Sequence, residues 1–503
     1  MTHGIEGFVA MTAKGARFAR VAGMLAGVLG FGLALFGVGA SPAVASTGTW
    51  STPTNVSELG AGGFGQQVAS NDSGHVVVTW YSFDATTMVS SSQDGGLTWS
   101  TPASLSAPGG DAYGQRVSLN AAGQAVVVWQ RLDGSYNIIQ SSSSNDSGLT
   151  WSSPVDISQA GTSSSYAELA LDASGNAVVV WQHSAGSNSV IQSAESSNAG
   201  GSWSIPENVS LSGGDAYGAD VALDESGHAV AVWHRYNGAN NIVQASSSSD
   251  TGSSWSSPVD LSSVGGSATY AQVGLNSSGK AVVVWKRSNG SNDIVQASFS
   301  ANSGATWNPA GDLSDAGANA ASPRLALDSN SNAVAVWNRS DGSNEIVQAA
   351  KSVDGGATWT IPMNLSEPGE DASAPQVSLN AAGGAIAIWQ RALGSDVLIQ
   401  ASVSTDAGAT WSIPENISQP EGDAFDAQVR LDSEGNAVAV WYRYSPGVEI
   451  QASRFLGPTS PSLPNTGIST AGNVMWLATG LSFMALGLIL FAARRRRATG
   501  ATS

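Results

Sequence analysis

Apolar residues along this chain gather in short runs that stop at a tryptophan. The stops are Trp80, Trp129, Trp181, Trp233, Trp285, Trp337, Trp389 and Trp441, with 49 residues between the first two and 52 between each later pair. A second tryptophan series runs from Trp50 through Trp99, Trp151, Trp203, Trp255, Trp307 and Trp359 to Trp411 in the same rhythm. Sixteen of the 17 tryptophans belong to these two series, and a fixed period of this length marks a repeat protein.

One unit, Asp371 to about Ser418, reads DASAPQVSLN-AAGG-AIAIWQR-ALGSDV-LIQASVS-TDAGA-TWSIPENIS. PQVSLN alternates, which predicts a strand with two unlike faces. AIAIWQ is nearly all apolar, as in a strand covered on both faces. LIQAS gives a third strand, and a fourth starts at the second-series tryptophan. Asn, Asp, Gly and Ser fill the junctions, where tight turns need them. Helical periodicity is missing between the termini. Four antiparallel strands per 52-residue unit predict an all-β fold, an eight-bladed β-propeller, because a blade can cover its two apolar faces only against its neighbours. A parallel β-helix is the competing fold, but its rungs are shorter than this period. The ends also fit closure. Trp50 opens a lone fourth strand, GTWSTPTNVS, while the last unit stops after its third, VEIQASRF. The N-terminal strand is therefore expected to close the last blade.

Two longer apolar runs lie at the termini. Lys14, Arg17 and Arg20 precede Val21 to Ala40 and then Ala43-Val44-Ala45, the layout of a helical signal peptide cut between Ala45 and Ser46. At the other end Leu463-Pro464-Asn465-Thr466-Gly467 precedes an apolar run, Val474 to Ala493, and then Arg494 to Arg497. A run of that length can cross a bilayer as a helix, with the arginines on the cytoplasmic side. This order resembles the sorting signal of Gram-positive surface proteins. The resemblance implies that a sortase cuts between Thr466 and Gly467 and joins Thr466 to peptidoglycan. The expected organisation is a leader over 1–45, a propeller over 46–455, a linker with the sorting motif over 456–467, and a membrane segment with basic tail over 468–503.

Without the terminal segments the chain has 13 basic and 37 acidic side chains, a net charge of −24. That sign argues against nucleic acid and anionic lipid as partners. Cysteine is absent, so neither disulfides nor thiolate chemistry contribute. No His/Asp/Glu cluster has metal-ligand spacing, and no cofactor is implied.

The hairpin before each second-series tryptophan repeats a phrase: SSQDGGLTW ending at Trp99, SSNDSGLTW at Trp151, SVDGGATW at Trp359. Thr405 to Trp411 carries it too, preceded by Val403-Ser404, and Asp250 is the acid of another copy. Asn198 and Asn302 replace the acid in two more. S-x-D-x-G-x-T-W resembles the Asp-box, the bacterial neuraminidase repeat of sialidases and many other propellers. The residue types suit a turn: a short side-chain oxygen accepts backbone N–H groups, glycine takes a conformation other residues resist, and tryptophan plugs the gap between strands. A phrase needed in every unit is architecture.

The resemblance also raises sialidase activity, which requires three arginines for the substrate carboxylate, a Tyr–Glu pair and an aspartic acid. The Arg-Ile-Pro segment of that family is missing; Ser322-Pro323-Arg324-Leu325 does not match it. Arg131, Arg235, Arg287, Arg339, Arg391 and Arg443 each follow a strand tryptophan by two residues, and six copies point to packing or pairing.

Function is expected where the units stop agreeing. Thirteen residues before each strand tryptophan stand Gln67, Arg116, Glu168, Asp220, Gln272, Arg324, Gln376 and Gln428, always polar but changing from unit to unit. In an eight-bladed ring Arg116 and Arg324 face each other across the axis. Just upstream sit Asp111-Ala112-Tyr113, Asp215-Ala216-Tyr217 and Asp423-Ala424-Phe425, with Tyr166 and Tyr270 in two further units. Aromatic rings with carboxylates and amides around a funnel suit a glycan or a peptide; inter-blade bonds around a water-filled channel would use the same residues. The hairpins YSFDATT and RYSPGVE are shorter than their counterparts, which predicts a notch at the closure. The expected function is a monomeric, wall-anchored binding or adhesion propeller for glycan or protein. A sialidase-like glycoside hydrolase and a scaffold without small ligand are the alternatives.

Overall fold

A computed structural model describes residues 48–457, apart from 59, 108, 421, 445 and 446. Ala45 and Ser46, the motif Leu463 to Gly467 and the apolar run 474–493 lie outside the described residues.

Eight antiparallel sheets follow one another along the chain, and every sheet has the same order from inner to outer strand. In blade two the strands are Ala112–Leu119, Ala125–Asp133, Tyr136–Ser144 and Val155–Asp156. The second strand is apolar because both its faces are covered. Val126, Val127, Val128 and Trp129 are all fully buried, and their counterparts around the ring are buried too.

The cores lie between blades. Val77 and Val89 of blade one cluster with Ala125, Val127 and Trp129 of blade two, and seven further clusters repeat this arrangement. Each blade thus supplies half of two cores, which is why single units cannot fold alone. All eight strand tryptophans are fully buried; truncating one to alanine is expected to cost about 3–5 kcal/mol.

Closure follows the expectation. Thr49 and Trp50 pair with Leu456 and Phe455, and Thr54 and Asn55 pair with Ala452 and Gln451. The outer strands, however, are much shorter than their sequence suggests. The second-series tryptophan makes no ladder pair in blades one to seven; the ladder is confined to a two-residue stretch such as Ala103–Ser104 or Glu207–Asn208. A proline two or three residues after each tryptophan (Pro102, Pro154, Pro206) has no N–H to donate and interrupts the strand.

The repeated phrase forms the hairpin from third to outer strand. Asp94 accepts the Thr98 N–H at 2.8 Å and the Thr98 hydroxyl at 2.6 Å, while Ser92 Oγ accepts the Gly96 N–H at 2.8 Å. Asn198 accepts the Ser202 N–H in the same way at 2.9 Å. Ser404 fills the leading position of the last copy, donating to Asp406 at 2.8 Å. Burial alone would raise the Asp94 carboxyl, but the bonds from Thr98 and Ser92 outweigh it and hold it at about 2. The phrase's tryptophan plugs a gap between blades rather than between strands: Trp255 Nε1 donates to Ser193 Oγ of the preceding blade at 2.9 Å. The turn is bound to its own blade as well, since Thr251 N donates to Gly227 O at 2.8 Å in the neighbouring hairpin.

Candidate functional site

Every inner strand contains one β-bulge, located between Tyr113 and Arg116 in blade two and at equivalent places elsewhere. One residue within it has positive φ in all eight blades. It is glycine in three, and Tyr166, Tyr270, Ser322, Ala374 or Asp426 in the rest. Tyr166 at +56° and Tyr270 at +58° are strained, because left-handed backbone crowds a bulky side chain. The bulge re-aims the strand just before the variable position.

The eight variable residues line one cavity of about 300 Å³ on the ring axis. Arg116 meets Glu168 of the next blade by two bonds, Nε to Oε2 at 2.6 Å and Nη2 to Oε1 at 2.7 Å. Burial works against the Arg116 charge, but Glu168 outweighs it and raises the guanidinium further. Asp220 accepts the N–H of Val221 at 3.0 Å and of Val273, in the next blade, at 2.8 Å. Burial and the nearby Glu168 push its carboxyl up to about 7 against those two bonds and Arg116. Across the axis, Arg324 donates to Pro323 O at 3.1 Å and has no ion-pair partner among the described residues. Burial lowers its guanidinium.

Arg430 also lines this cavity. It follows Gln428 by two residues, at a position where the other blades have alanine, serine or glycine. That lone departure is legible in the sequence, but it stands two residues outside the register of Gln428.

The upstream acids divide. Asp215 accepts the Ser189 N–H, Asp371 the Glu345 N–H and Asp423 the Val397 N–H, each at 2.8 Å. Each bond reaches the preceding blade's hairpin, so Asp215 serves assembly. Asp111 differs because the hairpin of blade one is short: Ala112 N bonds directly to Ala85 O at 2.9 Å. The Asp111 carboxylate is exposed and has no partner among the described residues. The recurrent arginines tie connections to blades, as expected of a repeated residue; Arg391 donates to Glu367 O and Arg235 to Ser212 O.

Aromatic side chains gather in two groups beside the first residues of the inner strands, and none is among the residues that line the axial cavity. Tyr217 contacts His234, with ring centroids 5.9 Å apart. Nearby, Lys286 lies 5.6 Å over the ring of Tyr270 and pairs with Asp293 at 2.8 Å. Burial pushes the His234 imidazole down to about 4. Tyr113 is exposed and has no aromatic partner among the described residues. At the closure, Phe64 contacts Tyr81, Phe83 and Tyr442 at 5.7, 5.5 and 5.1 Å. Burial and Asp426 push the Tyr442 hydroxyl up to about 12.

No family model and no curated protein matches this chain. Solved structures resemble it in fold. The BP39L lectin from Burkholderia pseudomallei is 18% identical over 73% of this chain and 100% of its own, with a TM-score of 0.48. A polysaccharide lyase of family PL25, an ulvan lyase, is 12% identical over 66% and 90%, at 0.46. The NanB sialidase from Streptococcus pneumoniae is 12% identical over 76% and 83%, at 0.40.

Proposed function

We propose that this protein is a surface propeller, anchored to the cell wall, that binds a glycan or a protein segment at the mouth of its axial channel. The observation that carries this reading is a division of labour. Motifs shared by all units are spent on assembly, whereas the positions that differ between units converge on one polar cavity. A residue needed only to hold blades together would be the same in each. The signal-peptide layout and the motif Leu463 to Gly467 support export and attachment by a sortase to peptidoglycan. An acidic shell keeps such a domain soluble and away from anionic surfaces.

A glycan array probed with the 46–462 fragment tests the reading. Specific binding that disappears when Gln272 is replaced by tryptophan, filling the channel, is the expected result. Binding to no glycan and to no wall or surface protein would leave a scaffold.

The second reading, a sialidase-type hydrolase, draws support from Asp220, whose carboxyl near 7 suits a proton donor. No tyrosine is among the residues lining the cavity, so the tyrosine nucleophile of that chemistry has no counterpart there. A fluorogenic sialoside is accordingly expected to remain uncleaved.

A further inference from the structure

The channel contains its own template for a ligand site. Arg116, Arg324 and Arg430 adopt one pose, each donating from Nη1 to the carbonyl of the residue before it, at 2.9, 3.1 and 2.9 Å. That clip fixes the guanidinium and leaves its Nε/Nη2 edge to other partners. In Arg116 the edge takes both oxygens of Glu168. The residue placed opposite Arg324 in the same way, one blade on, is Gln376. A neutral amide cannot act as counter-charge, and the Arg324 edge has no partner among the described residues. It is nevertheless open to the cavity: the Nε atoms of Arg131, Arg235 and Arg287 are buried without partners, but no Arg324 atom is.

We infer that Arg324 is a carboxylate clamp, and that the ligand at the channel mouth is a sugar bearing a carboxylate. This rests on the binding reading above and names the ligand class. A half-buried guanidinium without a counter-ion is costly, and a planar carboxylate matches its fork with two bonds. The sugar part follows from the rest of the wall. Gln67, Gln272, Gln376 and Gln428 present amides that can both donate to and accept from hydroxyl groups, and the cavity, about 300 Å³, admits one sugar ring. The chain's negative charge does not oppose this at contact range, because fields from the outer shell are screened within about 8 Å at physiological salt.

Calorimetric titration of the 46–462 fragment with D-glucuronate, D-galacturonate and their uncharged parent sugars tests the clamp. At least one acid should bind ten-fold or more tightly than its parent, and Arg324→Gln should remove that preference. Gln376→Glu is the sharper variant. It supplies the carboxylate internally, as Glu168 does for Arg116, so it should raise Tm and abolish uronate binding in a well-folded protein. Uronate binding unchanged in Gln376→Glu would overturn the clamp. Neutral glycans binding on the array while no uronate binds would also overturn it, yet leave the binding module standing. A peptide with a free C-terminal carboxylate binding in preference to both uronates would overturn the sugar assignment.

Discussion

Arg116 and Glu168 close the contact between blades two and three with a bidentate ion pair on the channel wall. The side chains are 35% and 25% exposed, so water softens the loss of either one. Arg116→Met should still cost about 1–3 kcal/mol, because it leaves Glu168 unpaired beside Asp220. The double variant Arg116→Met/Glu168→Leu removes both charges and should recover part of that loss. Urea denaturation of the four proteins gives the coupling, expected at about 0.5–3 kcal/mol. Strict additivity would mean that the pair contributes nothing to blade assembly.

The repeated turn makes a second prediction. Gly356 has φ +87°, and a Cβ there would lie 2.9 Å from Val282 Cγ2 of the preceding blade. Gly290 has φ +98°, with open space where its Cβ would point. Both alanine variants incur left-handed backbone strain of about 1–2 kcal/mol. Only Gly356→Ala also wedges two blades apart, so it should lose about 1–3 kcal/mol more. Equal losses in urea melts would show that the turn is not an inter-blade contact.

These two sites also show what the sequence makes legible. Tryptophan spacing identifies eight units, and the split between GTWSTPTNVS and VEIQASRF reveals the closure, because both depend on one period. The variable position converges on the axis for the same reason. The bulge was hidden because glycine marks it in only three blades, while Tyr166, Tyr270, Ser322, Ala374 and Asp426 occupy a conformation their types do not advertise. The shortened outer strand could have been read from the prolines. The role of Asp215, and its absence at Asp111, depends on a bond to another blade's hairpin, which no single unit shows.

Closure itself is testable. Phe455 is buried against Trp50, with ring centroids 5.2 Å apart. Phe455→Ala should cost about 3–5 kcal/mol. Removing residues 48–57 should do more, since it uncovers the edge of Val448–Leu456 and opens the ring. Unpaired strand edges recruit other chains. Light scattering should detect oligomers of the truncated protein; a monodisperse monomer with unchanged Tm would argue that the N-terminal strand is dispensable.

The last prediction concerns pH and Asp220. Its folded carboxyl titrates at about 7, above the ordinary value of about 4 for an unfolded aspartate. Between those values the folded protein holds a proton that the unfolded chain has released, so this group's contribution to stability falls as pH rises through the window. His234 acts in the opposite direction, since burial lowers it to about 4 and the unfolded chain binds the extra proton. The two effects blur in the native protein alone but separate in a comparison, because His234 is common to both partners. Relative to Asp220→Asn, the native protein should therefore lose stability from pH 5 to pH 8, read by urea melts at fixed salt. Binding should follow the same titration. Below about 7 the cavity's Arg116, Glu168, Asp220, Arg324 and Arg430 side chains together hold two net positive charges, and above it one. Uronate affinity should fall as pH rises from 6 to 8 in the native protein and stay level in Asp220→Asn. A level profile in both would place the ligand away from this ring.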